Sequence, residues 1–198
     1  QLYNEHLDFV VRPGHPLLAQ PEIRRIADWP VIFPPEGAAI RRVEQPDTVW
    51  YRDLFTRVGG QDWLWFSRLV MSHAELAVII QDPEVHLYVL DIAGTPEGML
   101  ELDFRQPGAC ELAFFGVSAA MTGTTAGRCL MNHAIPAAFA PGIGRFHVHT
   151  CTLDHPRALE FYRRSGFVPT RREVEIVPDP RLAGQLPRDA APHVPLLD

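Results

Sequence analysis

The chain has 198 residues, of which 46% are hydrophobic and 21% charged, a makeup that supports one full globular core plus an appendage. Its net charge of −6 argues against a general nucleic-acid binder, which carries a basic surplus. No apolar run approaches the roughly 18 residues of a membrane span, so neither a nucleic acid nor a membrane is an expected partner. Three cysteines, Cys110, Cys129 and Cys151, are too sparse for a disulfide framework and point to a reducing, cytoplasmic setting. The opening residues QLYNEHLDF lack the basic and apolar regions of a signal peptide. The 19 prolines crowd toward the two ends, which therefore read as irregular, with the regular patterns between them.

In chain order, residues 6–12 read as a short strand ended by Pro13-Gly14. Residues 21–28 read as a helical turn or two, and residues 38–44 as another strand. From Thr48, the spacing of Trp50, Leu54, Phe55 and Val58 predicts a helix that stops at Gly59-Gly60. Residues 61–71, with Trp63, Leu64, Phe66, Leu69 and Val70, read as a second amphipathic stretch. Ser72 and Glu75 form a capping box that opens a helix running to about Gln81. Strands at 85–92, 97–105 and 109–117 follow with short turns between them, an antiparallel meander. A helix over 127–139 carries Pro136, which predicts a kink or an early end. A strand at 145–151, a helix at 156–165 opened by Pro156 and a strand at 167–177 complete the pattern. The fold class is therefore α/β (α+β), with a strand–helix–strand crossover that puts two strands in parallel.

The most specific stretch is His155-Pro-Arg-Ala-Leu-Glu-Phe-Tyr-Arg-Arg-Ser-Gly-Phe167. Ala158 permits close approach of its helix to a ligand. Tyr162 lies one turn further along the same face, where its phenol can serve as a proton donor. This stretch resembles the closing motif of the GNAT acetyltransferase superfamily, with His155, Ala158, Tyr162, Gly166 and Phe167 at the family's positions. The resemblance covers about residues 38–180 and extends to a bacterial subgroup through VWYRDLFTRVGGQDWLWFSR. It implies the GNAT fold, a mostly antiparallel mixed sheet with a splayed parallel pair and flanking helices, and acetyl-CoA as co-substrate. It also implies transfer of an acetyl or other acyl group to the amine of a small molecule or peptide. In such a protein Phe115, Gly116 and Val117 meet the pantetheine arm, and the loop Thr122, Gly123, Thr124, Thr125, Ala126, Gly127 and Arg128 wraps the pyrophosphate. That loop departs from the family pattern, because Thr122 replaces a basic or amide residue and Thr125 replaces glycine. A Cβ at 125 would crowd the phosphates or strain the backbone, whereas the hydroxyls of Thr122, Thr124 and Thr125 offer donors in compensation. His155 stands where the family has asparagine and is expected to contact the cofactor.

Tyr162 is thus the expected acid and Glu111 the expected base. Glu101 and Asp103 share one face of the neighbouring strand and are alternative bases or acceptor-binding groups. His147, His149 and Cys151 alternate on one strand and are of zinc-binding type, but strong zinc spacings are absent and no metal is expected. Residues 2–41, through RPGHPL and WPVIFPPEG, resemble a fragment of a LysR-type effector-binding domain. The chain then divides into an extension at 1–37, an acyltransferase domain at 38–180 and a Pro-rich tail at 181–198 expected to be mobile. The extension would add a strand to the sheet or hold a homodimer together. The alternatives to an enzyme are a CoA-binding module without turnover and a ligand sensor built on the extension.

Overall fold

The computed structural model describes residues 2–11 and 33–197. The helical turn expected at 21–28 lies outside the described residues. Strand β1 (Leu2–Val11) is followed by β2 (Ala38–Val43), helix α1 (Thr48–Phe55) and a π-helical turn at Thr56–Gly60. Helix α2 (His73–Ile80) leads into the meander β3 (Val85–Ile92), β4 (Thr95–Asp103) and β5 (Ala109–Val117). After a 3₁₀ turn at Ala119–Met121 come α3 (Ala126–Phe139), β6 (Arg145–Cys151), α4 (Ala158–Arg164) and β7 (Val168–Val177).

The seven strands form one sheet in the order β2-β3-β4-β5-β6-β1-β7. Every neighbouring pair is antiparallel except β5 and β6, which the α3 crossover makes parallel. That pair is in register over Ala109↔Arg145, Cys110↔Phe146 and Glu111↔His147, and beyond Glu111 and His147 the strands part. A register shift between β4 and β5 sets Glu101 opposite Phe114 and Leu102 opposite Leu112, so Ala113 is the extra residue of a bulge.

Alternation along the strands assigns the two faces. Phe9, Cys110, Leu112, Phe146 and Val148 join one core with Leu130, Met131 and Ile135 of α3 and Tyr162 of α4. Tyr51, Phe55, Leu76, Leu87, Met99 and the half-buried Phe114 and Trp65 form the core on the α1–α2 side. Glu111, His147 and His149 alternate with the α3-side residues and so belong to the opposite face.

Several sequence expectations meet a different outcome. Residues 61–71 form turns rather than a helix, with Leu64 at φ 55°. Pro136 does not end α3, which continues to Phe139. Helix α4 begins at Ala158, two residues after the proline expected to open it. The α2 capping box is present in full, with Glu75 N–H donating to Ser72 Oγ and Ser72 N–H to Glu75 Oε2.

The segment expected to be a mobile tail packs instead. Leu186, Ala190 and Ala191 bury themselves with Leu64 and Leu153. Buried Arg181 pairs with Asp179 at 2.7 Å and donates to the carbonyls of Ala190, Ala191, Val194 and Pro195. One guanidinium with its five donors thus satisfies a stretch of backbone that has no ladder of its own.

Candidate active site

The parting of β5 and β6 opens a cavity of about 670 Å³. Its walls are Phe115, Gly116 and Val117 of β5, the loop Thr122, Gly123 and Thr124, and Gly127 and Arg128 of α3. His149 of β6, His155, and Ala158 and Tyr162 of α4 close it from the other side. The sequence had assigned all of these to the site except His149. At the far end Trp63, Leu64, Trp65 and Phe66 form an apolar wall.

Tyr162 is 6% exposed. It is ringed by Phe9, Phe115, Phe161 and Phe167, with centroids 5.6 to 6.4 Å away. Burial first, then the charges of Asp154 and Cys151, push its phenol far above the ordinary tyrosine value. Such a phenol keeps its proton at any working pH and is a donor, not a base.

The loop before α3 resolves the question raised by its threonines. Thr125 has helical angles, φ −79° and ψ −4°, so its Cβ causes no strain. Its hydroxyl donates to the Phe33 carbonyl at 2.7 Å, and it is absent from the cavity wall. Thr122 and Thr124 donate to the Ser118 and Met121 carbonyls, so the expected hydroxyl donors are already engaged. Ala126 is fully buried in the α3 core, and its N–H donates to Thr124 Oγ1. Among the lining residues of this region, Gly127 and Arg128 have N–H groups in the first turn of α3, where no intrahelical acceptor exists. Gly123 turns the loop at φ 83°, a conformation that favours glycine. The Arg128 guanidinium donates to Ser165 Oγ at 2.7 Å and lies 4.7 Å from the Phe161 ring centroid, which fixes a positive charge beside these donors. Arg157 and Arg164 also line the cavity, and burial first, then the nearby Arg164 charge, lowers the Arg128 pKa.

Gly116 differs from expectation in its purpose. A methyl built there would lie 2.7 Å from Val58 Cγ1 and 3.1 Å from the Trp65 indole. At Gly59 it would lie 2.1 Å from the same indole. Both glycines make room for Trp65, which packs on Phe55 and Phe114.

Among the carboxylates, Glu101 and Asp103 are not free. Glu101 is fully buried, accepting from Tyr51 Oη and Arg68 Nη2 at 2.6 Å each. Asp103 is held by Arg105. Glu111 is half-buried beside the cavity rather than on its wall, with Oε1 3.7 Å from His149 Nε2. Burial raises its pKa, the nearby His149 opposes the rise, and Asp103 adds to it. His149 Nδ1 lies 2.5 Å from Asp8 Oδ1, a partner 141 residues away in sequence that no local pattern reveals. Ligand-type atoms of Glu111, His147 and His149 lie within 4.8 Å of one another, whereas Cys151 packs toward the Leu64 cluster. His155 accepts from the Arg157 N–H and packs edge-on to Trp63.

A mixed sheet whose single parallel pair splays around a cavity, with a helix N-terminus at one end and a buried tyrosine beside the gap, suits an elongated ligand with an anionic end. The sequence model of the acetyltransferase (GNAT) family matches residues 44–167, and the chain belongs to that family. No curated protein sequence matches it. Among solved structures it is similar to a GCN5-related N-acetyltransferase from Sphaerobacter thermophilus, with TM-score 0.62 and 17% identity over 88% of this chain and 51% of that one. A GCN5-related N-acetyltransferase from Kribbella flavida gives TM-score 0.55 and 18% identity over 86% of this chain and 56% of that one. An aminoglycoside acetyltransferase from an uncultured soil metagenomic sample, in complex with sisomicin, gives TM-score 0.55 and 16% identity over 72% of this chain and 93% of that one. The chain thus spans little more than half the length of the first two.

The LysR-type reading of residues 2–41 is not borne out. The likeness to acetyltransferase folds extends over 88% of the chain, and Leu2–Val11 is an inner strand of that same sheet. RPGHPL and the start of WPVIFPPEG, which carried the regulator resemblance, lie outside the described residues. Among the described residues, no helix is long and apolar enough to cross a membrane.

Proposed function

We propose that this protein is an acyl-CoA-dependent N-acyltransferase, with acetyl-CoA as the acyl donor and a primary amine as the acceptor. The observation that carries this reading is the single cavity that joins three parts: the α3 N-terminus with Arg128, the β5–β6 gap, and the buried Tyr162. The pyrophosphate is an anion, and the first-turn N–H groups of α3 with the Arg128 charge are suited to it. The pantetheine arm lies in the gap against Phe115, Gly116 and Val117. There the β5–β6 pairing has ended at Glu111, so strand N–H groups facing the gap are available to the thioester oxygen. The amine enters from the Trp63–Phe66 end.

The amine nitrogen attacks the thioester carbon and loses a proton to a base at that end of the gap, where Glu111 and His149 meet. The carbon–sulfur bond breaks, and Tyr162 gives its proton to the departing thiolate. The test is thiol release from acetyl-CoA with a panel of primary amines, alongside calorimetric binding of acetyl-CoA. Wild type is expected to bind acetyl-CoA and turn over. Tyr162→Phe is expected to bind equally well while kcat falls by roughly 10²-fold, the scale of a lost general acid. Full turnover by Tyr162→Phe would remove the acid role. Binding without transfer to any amine would leave a CoA-binding module.

A further inference from the structure

Four side chains meet at the mouth of the β5–β6 gap, on the face of the sheet away from α3. Asp8 stands opposite His149 in the β1–β6 register. Glu111 stands opposite His147 in the β5–β6 register. The Asp8 side chain is 13% exposed and its Oδ1 is 2.5 Å from His149 Nδ1. An ionised carboxylate is an acceptor alone. In the neutral ring, Nδ1 therefore carries the proton and Nε2 the lone pair. Glu111 Oε1, at 3.7 Å, is beyond hydrogen-bond reach of that nitrogen. His147 meets the His149 ring edge-on at 5.8 Å between centroids. The charged groups around His149 are thus Asp8 from β1, Glu111 from β5 and His147 from β6 itself, with Arg68, Glu101 and Asp103 acting on Glu111. His149 is on the cavity wall and Glu111 is not. Tyr162 belongs to the α3-side core, so phenol and imidazole flank the gap from opposite faces of the sheet.

We infer that His149, not Glu111, takes the proton from the acceptor amine, and that Asp8 of the N-terminal strand is the residue that positions it. The inference rests on the acyltransferase reading. As the amine nitrogen bonds to the thioester carbon, its N–H proton passes to Nε2, giving an imidazolium held between Asp8 and Glu111. The carbon–sulfur bond then breaks, the sulfur leaves with the electron pair and takes the Tyr162 proton, and the imidazolium proton passes through solvent to the Tyr162 phenolate, which restores both groups. The products are the amide and free CoA thiol. The N-terminal strand is in this account part of the active site, since its carboxylate fixes the tautomer and the direction of the lone pair.

The test uses the whole chain, with acetyl-CoA as donor and 2-phenylethylamine and spermidine as acceptor probes. His149→Ala is expected to lower kcat about 10²-fold, with KM for acetyl-CoA unchanged and part of the rate restored by added imidazole. Asp8→Asn is expected to lower kcat, change the pH–rate profile and leave acetyl-CoA binding intact. A full rate in His149→Ala, or a loss confined to Glu111→Gln, would overturn the assignment. Loss of rate on chelation, with recovery on adding zinc, would make the imidazole a metal ligand instead and overturn it too. A second measurement needs no acceptor. Nitrogen-15 NMR of the His149 ring at alkaline pH is expected to show the Nδ1–H tautomer, and Asp8→Asn to abolish that preference. An Nε2–H ring in wild type would overturn the inference by itself. Absence of turnover with every amine, with the tautomer as expected, would count against the acyltransferase reading and not against the Asp8–His149 pair.

Discussion

Tyr162 and Glu101 are both buried, and burial has opposite consequences for them. The phenol is neutral, so its aromatic surroundings hold it protonated and cost little. Glu101 brings a charge into the α1–α2 core and is held there by Arg68 and Tyr51. Burial opposes the Arg68 charge, but Glu101 more than offsets this and raises its pKa; burial and Glu101 together raise that of Tyr51. Removing one partner strands the other charge. Arg68→Met is therefore expected to cost roughly 3–5 kcal/mol in urea denaturation, and adding Glu101→Leu to recover most of the loss. A double variant no more stable than Arg68→Met would show that the pair contributes more than mutual neutralisation. The sequence showed that Glu101 and Asp103 share a face, but not that Arg68, 33 residues earlier in the chain, closes over one of them. Tyr162 was legible because its helix, its glycine stop and its neighbours lie within one short stretch.

At the scale of elements, what could be read locally was read well. The α2 capping box is complete because both of its bonds span three residues. Residues 61–71 misled because apolar spacing says that side chains are buried, not that one face buries them. Here Leu64 packs toward the C-terminal segment, while Trp65 turns back onto Phe55 and Phe114. The reversal needs the positive φ at Leu64 and the space over Gly59 and Gly116. Gly116→Ala is expected to destabilise by about 1–3 kcal/mol through overpacking. Under the proposed function it should also raise the acceptor KM more than that for acetyl-CoA, because the amine then enters past Trp65. Thermal melting and steady-state kinetics check both, and an unchanged melting temperature would show that Val58 and Trp65 yield freely.

Across the whole molecule, His86, His133, His147 and His155 share one property. Burial, the first cause in each case, holds all four below the ordinary histidine value. The unfolded chain therefore takes up these protons at higher pH than the folded one. Their contribution to stability is complete above the ordinary range near about 6.5 and is lost as pH falls through it toward the lowered folded values. Glu111 has the opposite sign, because its raised folded pKa favours the folded state as pH falls through it. Melting temperatures followed from about pH 8 to about pH 5 are expected to decline from just below the histidine range. A flat curve would mean that the histidines titrate alike in both states. The global arrangement was only partly legible: the parallel crossover followed from element order, whereas the seat of β1 depends on pairings across nearly the whole chain.

That seat of β1 governs the order in which the molecule can assemble. Among the described strands β1 is made before the other six, yet its two neighbours, β6 and β7, are made after the other four. Such pairings have very high contact order and carry a large loop-closure cost. β1 therefore has its partners only after the meander and α3 have been made. It docks only when Cys151 has emerged, and β7, which pairs with β1 alone, docks last. Until then the imidazole of His149 lacks its Asp8 partner, so under the role proposed for that pair the site is completed only with these late pairings.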